Sequence, residues 1–163
     1  MFFGKATNQD VELLTKLRVA YLVEDYGDLN EKELTVIERD LPVYFNKNLN
    51  KNIFAYIVRN EQEIVACALL LVVEKPMSPA FINGKTGTVL NVYTKPEYRR
   101  NGYAKKLMNM LLEDAANMRL CSIELKATED GYSLYKSIGF RNFVSKYHQM
   151  EWHNKRSVWQ CWN

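Results

Sequence analysis

"KPEYRRNGYAKKLMNMLLEDA", residues 95–115, decides the fold of this chain. Its second half has the apolar spacing of an amphipathic helix. Four cations stand at its beginning: Arg99, Arg100, Lys105 and Lys106. Cations are unfavourable at a helix N-terminus, because the helix dipole is positive there. Gly102 and Ala104 leave the N–H groups of the first turn uncovered, so the pattern favours a bound anion, and a row of amides suits a diphosphate.

The plainest alternative is that these basic residues form an ordinary solvated first turn. A lone glycine is weak support for a phosphate site, because short motifs often occur by chance. Two other phosphate motifs are absent from the sequence, namely Gly-x-x-x-x-Gly-Lys-Ser/Thr and Gly-x-Gly-x-x-Gly. The anion site therefore depends on the structural context of residues 95–115.

Composition narrows the class of protein. The chain has 163 residues, 22 basic and 19 acidic, with a net charge of +3, which is too mild to indicate nucleic-acid binding. Its three cysteines show no disulfide or zinc spacing, and with two histidines we expect no metal site. No apolar run approaches the roughly 20 residues of a membrane span, and no signal-peptide core is visible. We therefore expect a cytoplasmic protein without membrane or nucleic-acid partners.

Periodicity predicts a single α/β domain with a central mixed, twisted β-sheet flanked by helices. The predicted elements are a strand at 2–5, helical regions at 7–27 and 29–50, strands at 52–60, 63–75 and 86–94, a helix at 99–118, a strand at 121–128, a helix at 130–139 and a final strand at 146–152. Strands 52–60 and 63–75 are expected to form an antiparallel hairpin, and Pro42 to break or kink the second helix.

Two motifs together resemble the GNAT acyltransferase superfamily. "RRNGYA" (99–104) fits the pattern Gln/Arg-x-x-Gly-x-Gly/Ala, after a strand and at the start of a long helix. "YSLYKSIGF" (132–140) is similar to the second signature, a helix with a tyrosine before Gly-Phe. The order of elements matches over about residues 2–152. We therefore expect a GNAT domain at 1–152 and a C-terminal tail at 153–163.

The resemblance implies an acetyl-CoA-dependent N-acetyltransferase that uses direct attack by a primary amine in a ternary complex. The diphosphate would lie on the amides of the first motif, and the pantetheine arm would pair with the preceding strand, which splays from the next one. Thr128 stands where many members place a cofactor-binding asparagine. The implied cofactor-binding residues are Val92, Tyr93, Thr94, Arg99, Arg100, Asn101, Gly102, Tyr103, Ala104, Lys105 and Thr128.

Tyr135 matches the family's tyrosine, which implies a general acid for the leaving thiolate. The alternative is a core aromatic whose hydroxyl bonds to a neighbour. Many members carry a glutamate that acts as the general base on the strand before the first motif. Here Asn91 is the only strongly polar side chain of "TVLNVYT". The base is then a water relay or an acid such as Glu24 or Asp25, whose ordinary interpretation is a solvated helix end. Together with Tyr21, Tyr26 and Asp28, these acids could line a mouth for the amine.

The tail and the functional class both leave alternatives open. The tail "HNKRSVWQCWN" carries two tryptophans, which we expect to dock on the domain or on a second subunit of a homodimer. The main functional alternative is a GNAT-fold protein that binds acetyl-CoA without catalysis, as a sensor or interaction module. An RNA- or DNA-binding domain is disfavoured, because the basic residues cluster at one helix start.

Overall fold

The computed structural model describes residues 1–153, which form a five-stranded mixed sheet with helices packed on both faces. The strands lie side by side in chain order: β1 (Phe2–Lys5), β2 (Ile53–Arg59), β3 (Ile64–Glu74), β4 (Lys85–Thr94) and β5 (Ser122–Leu125). The first four pair antiparallel, whereas β5 runs parallel to β4. The predicted mixed sheet and the β2–β3 hairpin are confirmed.

Residues 1–153 contain four α-helices: α1 (Val11–Tyr26), α2 (Glu31–Asn48), α3 (Tyr103–Asn117) and α4 (Glu129–Ser137). The first three lie between strands, and α4 follows β5. Helix α1 ends at Gly27, whose φ of 71° lies in the region that glycine adopts readily. The expected break at Pro42 does not occur, because α2 continues through it to Asn48. A proline removes one N–H donor, and an exposed carbonyl on the preceding turn can turn to water instead. None of the described helices is long and apolar enough to cross a membrane.

The core is divided between the two faces of the sheet. Successive residues of β2 alternate, so that Ala55 and Ile57 pack with α1 and α2, while Tyr56 and Val58 pack with α3. Helix α3 inserts Leu107, Met108 and Leu111, all with zero exposure, into the second cluster. Burying three such side chains is worth about 5–9 kcal/mol. This anchoring fixes where the N-terminus of α3 points.

A polar contact also ties α3 to the sheet. The hydroxyl of Tyr56 donates to Oδ2 of Asp114 at 2.8 Å, and Nζ of Lys5 lies 2.6 Å from the same oxygen. Burial raises the pKa of Tyr56 far above its usual value, with a further contribution from the Asp114 carboxylate. The tyrosine therefore stays a donor at any working pH.

The C-terminal part departs from the sequence prediction. The strand expected at 146–152 does not form, and residues 141–152 are exposed. Strand β5 covers only Ser122–Leu125 rather than 121–128. A strand needs a partner for its backbone groups, and β propensity alone does not supply one. The predicted docking of the tail concerns residues 154–163, which lie outside the described part of the chain.

Candidate active site

Strand β4 has an unpaired stretch beside β5. The parallel pairing begins at Thr86 and Ser122 and stops at Val89 and Leu125, whereas β4 continues to Thr94. On its other side β4 remains paired with β3 as far as Thr94. Within residues 1–153, no strand therefore pairs with residues 90–94 on the β5 side. The sequence interpretation expected β4 to part from β5 here, and the unpaired stretch exposes backbone groups that an extended amide chain can pair with.

A β-bulge lies at the beginning of the unpaired stretch. Leu69 pairs with Asn91 and Leu70 with Val89, so Leu90 is an extra residue without a partner in β3. Its side chain is 42% exposed, although the flanking Val89 and Asn91 are buried. Bulges bend a strand and re-aim its backbone groups, and they are frequent next to active sites. Sequence reasoning missed this feature, since an apolar residue in an apolar strand carries no local sign of a bulge.

The loop between β4 and α3 has an unusual backbone. Arg100 and Gly102 have φ of 64° and 74°, both in the left-handed region. Helix α3 begins at Tyr103, not at Arg99 as predicted, because a helix cannot include these two conformations. Its first backbone bond runs from the N–H of Lys106 to the carbonyl of Gly102 at 3.1 Å.

The amides at this helix start are free to bind a ligand. The N–H groups of residues 102–105 donate to no acceptor in the described chain. The side chain of Asn101 turns back and donates to the carbonyls of Tyr98 and Arg99, at 3.0 and 3.2 Å. These two hydrogen bonds stabilise the loop and leave the N–H groups of residues 102–105 unoccupied. Successive N–H groups with left-handed residues between them form a concave anion site.

The basic side chains divide into two kinds. Arg99 is already occupied, because its Nη2 lies 2.5 Å from Oε1 of Glu24 and its Nε donates to the carbonyl of Thr94 at 3.0 Å. Lys106 lies over the ring of Phe3, 3.6 Å from its centroid. Arg100 and Lys105 are exposed and form no ion pair within residues 1–153. These two side chains are therefore the ones available to a phosphate at the α3 terminus.

Glu24 serves as a brace between α1 and the loop. Besides Arg99, it accepts a hydrogen bond from the hydroxyl of Tyr93 at 2.9 Å. The hydrogen bond from Arg99 lowers the pKa of Glu24, and burial together with Glu24 raises the pKa of Tyr93 to about 12. A carboxylate with a lowered pKa is a weaker base. This arrangement disfavours Glu24 as the general base that the sequence left open.

The neighbouring acidic and aromatic residues are more open. Asp25 accepts a hydrogen bond from the hydroxyl of Tyr21 at 3.1 Å, and Tyr21 packs edge-to-face on Tyr93 with centroids 5.8 Å apart. Burial, followed by the Asp25 charge, raises the pKa of Tyr21. Tyr26 is 68% exposed and Asp28 is exposed as well. Of the residues that the sequence analysis assigned to the mouth, Tyr21 contacts the ring of Tyr93 on β4, and Tyr26 and Asp28 are open to solvent.

Asn91 is buried rather than open to a substrate. Its side chain is 2% exposed, its Oδ1 accepts from Nη1 of Arg18 at 2.5 Å, and its Nδ2 contacts Sγ of Cys67 at 3.3 Å. Burial raises the pKa of Cys67 to about 12, which makes it an inert thiol. Arg18 was missed from the sequence. A charge four residues after Leu14, on the apolar face of α1, was the available signal.

Tyr135 lies on α4. Its ring packs against the hydrophobic cluster that also contains Val92, Leu125 and the buried side chains of α3. Burial raises its pKa, and its hydroxyl forms no hydrogen bond within the described chain. The alternative of a core tyrosine with a bonded hydroxyl therefore finds no bonding partner here. A Cβ on Gly131 would lie 2.9 Å from the ring, so only glycine gives Tyr135 this position without a shift. Thr128 is the N-cap of α4, and its Oγ1 accepts from the N–H of Gly131 at 3.2 Å.

Comparison with known proteins agrees with this geometry. The model of the acetyltransferase (GNAT) family matches residues 14–140. Among curated proteins, no match was found. A crystal structure of a predicted acetyltransferase from Clostridium acetobutylicum, solved with acetyl-CoA, is 27% identical with a TM-score of 0.78, covering 92% of this chain and 95% of that one.

Two further structures are similar in fold. A GCN5-related N-acetyltransferase from Ralstonia eutropha JMP134 is 23% identical with a TM-score of 0.74, covering 91% of this chain and 97% of that one. A ribosomal-protein-alanine N-acetyltransferase from Brucella melitensis is 19% identical with a TM-score of 0.64, covering 93% and 100%. At these identities, the similarity of these two structures concerns the fold alone.

Proposed function

The chain belongs to the GNAT acetyltransferase family, and on that premise we propose that it transfers an acetyl group from acetyl-CoA to a primary amine, by direct attack in a ternary complex. The observation that carries the proposal is the presence of two backbone surfaces whose hydrogen-bonding groups are free in the described chain. One is the row of N–H groups at the start of α3, and the other is the unpaired edge of β4 at residues 90–94. An acyl carrier with a diphosphate and an amide-containing arm needs both.

The donor fits these surfaces residue by residue. The amides of residues 102–105 suit a diphosphate, with Arg100 and Lys105 as charged partners. The backbone of Val92, Tyr93 and Thr94 would pair with the pantetheine amides, as an added strand pairs with a sheet edge. Arg99 acts indirectly, since it fixes the loop to β4 and α1. Tyr103, Ala104 and Asn101 would contribute backbone groups and the shape of the diphosphate site, and none of them carries a charge.

The chemistry requires a proton donor for the leaving sulfur. Acetyl-CoA supplies a thioester, whose C–S bond breaks as the C–N bond to the amine forms. Tyr135 gives its proton to the thiolate and regains one from solvent; its raised pKa keeps it protonated beforehand. The pKa is about 8.5 for a thiol and about 10 for an ordinary tyrosine, and burial raises the pKa of Tyr135 further, so proton transfer from Tyr135 to the thiolate is uphill. We assign the stabilisation of negative charge on the thioester oxygen to backbone N–H groups of β4 near the bulge at Leu90.

The amine must lose its own proton to attack. No carboxylate stands on β4, and Glu24 is held by Arg99 and Tyr93. We assign this proton to water in the gap between β4 and β5, with Asp25 as the nearest alternative acceptor. Asp25, Asp28 and Tyr26 form the negatively charged, aromatic approach that an ammonium would recognise. Asn91 supports this region through Arg18 and does not contact the amine directly.

The test uses Tyr135→Phe, with Tyr132→Phe as the matched control on the same helix. The Tyr132 hydroxyl donates to Asn142 at 2.8 Å and has no role in the reaction. We expect kcat to fall by about 10²–10⁴-fold in Tyr135→Phe only, with unchanged acetyl-CoA affinity in both variants. Release of the free thiol over a panel of polyamines, aminoglycosides, amino acids and peptide N-termini supplies the assay. Equal rates in the two variants would remove Tyr135 from the mechanism.

The second candidate is a non-catalytic acetyl-CoA sensor, favoured by the missing carboxylate on β4 and the occupied Glu24. It predicts that acetyl-CoA binds, that no amine of the panel is turned over, and that Tyr135→Phe changes nothing measurable. Binding together with amine-dependent thiol release excludes it.

A further inference from the structure

Arg18 is a half-buried cation on α1 without an acidic partner in the described chain. Its Nη1 donates to Oδ1 of Asn91 at 2.5 Å, and its guanidinium lies over the ring of Tyr21, 5.2 Å from the centroid. Within residues 1–153 Arg18 forms no ion pair, whereas Arg59 and Arg99 each pair with a carboxylate. Moving a charge out of water is costly unless an opposite charge replaces the lost solvent.

The groups around this guanidinium do not balance its charge. Asn91 is a neutral amide, and Cys67, which contacts Nδ2 of Asn91 at 3.3 Å, stays a neutral thiol because burial raises its pKa to about 12. Glu24 and Asp25, the acids that follow on α1, accept hydrogen bonds from other side chains. The described chain engages only the Nη1 nitrogen of Arg18, so its remaining N–H donors are available to an anionic ligand.

The contact with Asn91 places Arg18 beside the unpaired stretch of β4. Asn91 directly follows the bulge at Leu90, where the pairing of β4 with β5 has ended. Two residues on, and therefore on the same face of the sheet, Tyr93 packs against Tyr21, the ring under the Arg18 guanidinium. The thioester of the proposed donor belongs at this stretch of β4. An anion bound to Arg18 would therefore lie close to the reacting amine.

We propose that Arg18 binds a carboxylate of the acceptor, so that the acceptor is an amino acid or another small primary amine with a nearby carboxylate. The inference rests on the proposed acetyl transfer. A guanidinium and a carboxylate form parallel charge-assisted hydrogen bonds, and this geometry orients the ligand as well as binding it. The ring of Tyr21 and the amide of Asn91 hold the guanidinium in place before the acceptor arrives.

The same arrangement selects against other amines. Polyamines and aminoglycosides carry several cations and no carboxylate, so they would place further positive charge beside Arg18. The acids at the end of α1 suit the ammonium group that every acceptor brings. Arg18 instead separates acceptors by whether they carry an anion, and an unbalanced like charge is an effective way to exclude the wrong ligand.

Paired acceptors test the assignment without any mutation. Glycine, alanine, serine, methionine, phenylalanine, lysine and glutamate are assayed by thiol release, each beside its α-carboxamide, which keeps the amine and removes the carboxylate. The kcat/KM is calculated per neutral amine, because the two forms differ in the pKa of the ammonium group. We expect at least one amino acid to exceed its carboxamide at least about tenfold. Turnover of amines without any preference for the carboxylate would overturn the assignment.

Three variants connect the preference to Arg18. Arg18→Gln keeps a donor for Asn91 and removes the charge, Arg18→Lys keeps the charge, and Arg39→Gln changes an exposed arginine of α2 that pairs with Asp40. We expect the KM for the amino acid to rise at least about tenfold in Arg18→Gln, less in Arg18→Lys and not in Arg39→Gln, with an unchanged KM for the carboxamide. A preference that survives in Arg18→Gln, or an equal change for both acceptors, would reduce Arg18 to a support of Asn91.

Binding separates a failure of this inference from a failure of acetyl transfer. The N-acetyl derivatives of the same amino acids, and of their carboxamides, are titrated into the full-length protein in the presence of coenzyme A. If no amine is turned over, but an N-acetyl amino acid binds and does so at least about tenfold more weakly in Arg18→Gln, the carboxylate site stands without acetyl transfer. If no amine is turned over and no N-acetyl amino acid binds in a way that depends on Arg18, both proposals fail.

Discussion

Gly102 provides the sharpest perturbation of the proposed diphosphate site, and Gly27, a second glycine with positive φ, serves as a control for it. Gly102 and Gly27 have φ of 74° and 71°, and a Cβ built on either meets no atom within 4 Å. Alanine at these positions therefore costs strain and produces no clash. A left-handed alanine costs about 1–2 kcal/mol, partly offset by about 0.4–1 kcal/mol from the smaller entropy of the unfolded chain.

The net loss of stability in Gly102→Ala should be about 1 kcal/mol. Gly27 has ψ of −63°, outside the left-handed helical region, so Gly27→Ala should lose at least as much. For a chain of this size, a loss of about 1 kcal/mol corresponds to a fall in Tm of about 2–4 °C. Binding should differ, because only Gly102 lies among the amides at the start of α3. Relaxing its φ turns those N–H groups away from the ligand. Losing one hydrogen bond to a charged group costs about 1.5–3 kcal/mol, so the Kd for acetyl-CoA should rise at least about tenfold.

The assay is isothermal titration calorimetry with acetyl-CoA, beside thermal unfolding of both variants. We expect both variants to lose Tm, with Gly27→Ala losing at least as much as Gly102→Ala, and weakened binding in Gly102→Ala alone. Acetyl-CoA affinities that agree within about twofold between the two variants would refute the reasoning, since the α3 amides would then not hold the diphosphate.

Two further predictions concern groups around the site. Glu24→Gln removes an ion pair whose side chains are 44% and 45% exposed, so it should cost only about 0.2–1 kcal/mol of unfolding free energy. Because the pKa of Glu24 is lowered in the folded state, this stabilisation is present above the ordinary value of about 4.3 and is lost as the pH falls through the folded-state pKa. The difference in Tm between Glu24→Gln and the parent protein should therefore become smaller in acid. A difference that grows in acid would contradict the lowered pKa of Glu24. The buried Cys67, with its pKa of about 12, should resist alkylation at pH 8 in the native state, whereas the exposed Cys121 should react, as peptide mapping by mass spectrometry can show.

Local sequence determined the parts of the site that depend on backbone conformation. Gly102 can be recognised locally, because a residue without a side chain, among cations and before an apolar helix, favours an anion site. Tyr135, in contrast, was predicted from the resemblance of residues 132–140 to the family's second motif. The start of α3 was placed too early, at Arg99, because composition does not reveal that Arg100 also adopts a left-handed conformation.

The features that were missed depend on contacts between distant residues. Arg99 and Glu24 are separated by 75 positions in the sequence. Arg99 was expected to bind phosphate, but because it pairs with Glu24 it stabilises the loop instead. The final strand at 146–152 was wrong for a related reason. Its residues have strand propensity, but they pair with no strand of the described chain. Strand formation depends on a partner, which no local pattern specifies.

The central claim is that the start of α3 and the free edge of β4 together hold an acyl carrier. Titration of the purified full-length protein with acetyl-CoA, and separately with pantetheine, which lacks the diphosphate, tests it directly. We predict a saturable heat with acetyl-CoA and a raised Tm, and at least about tenfold weaker binding of the pantetheine arm alone. No heat and no Tm shift at millimolar acetyl-CoA would contradict the account.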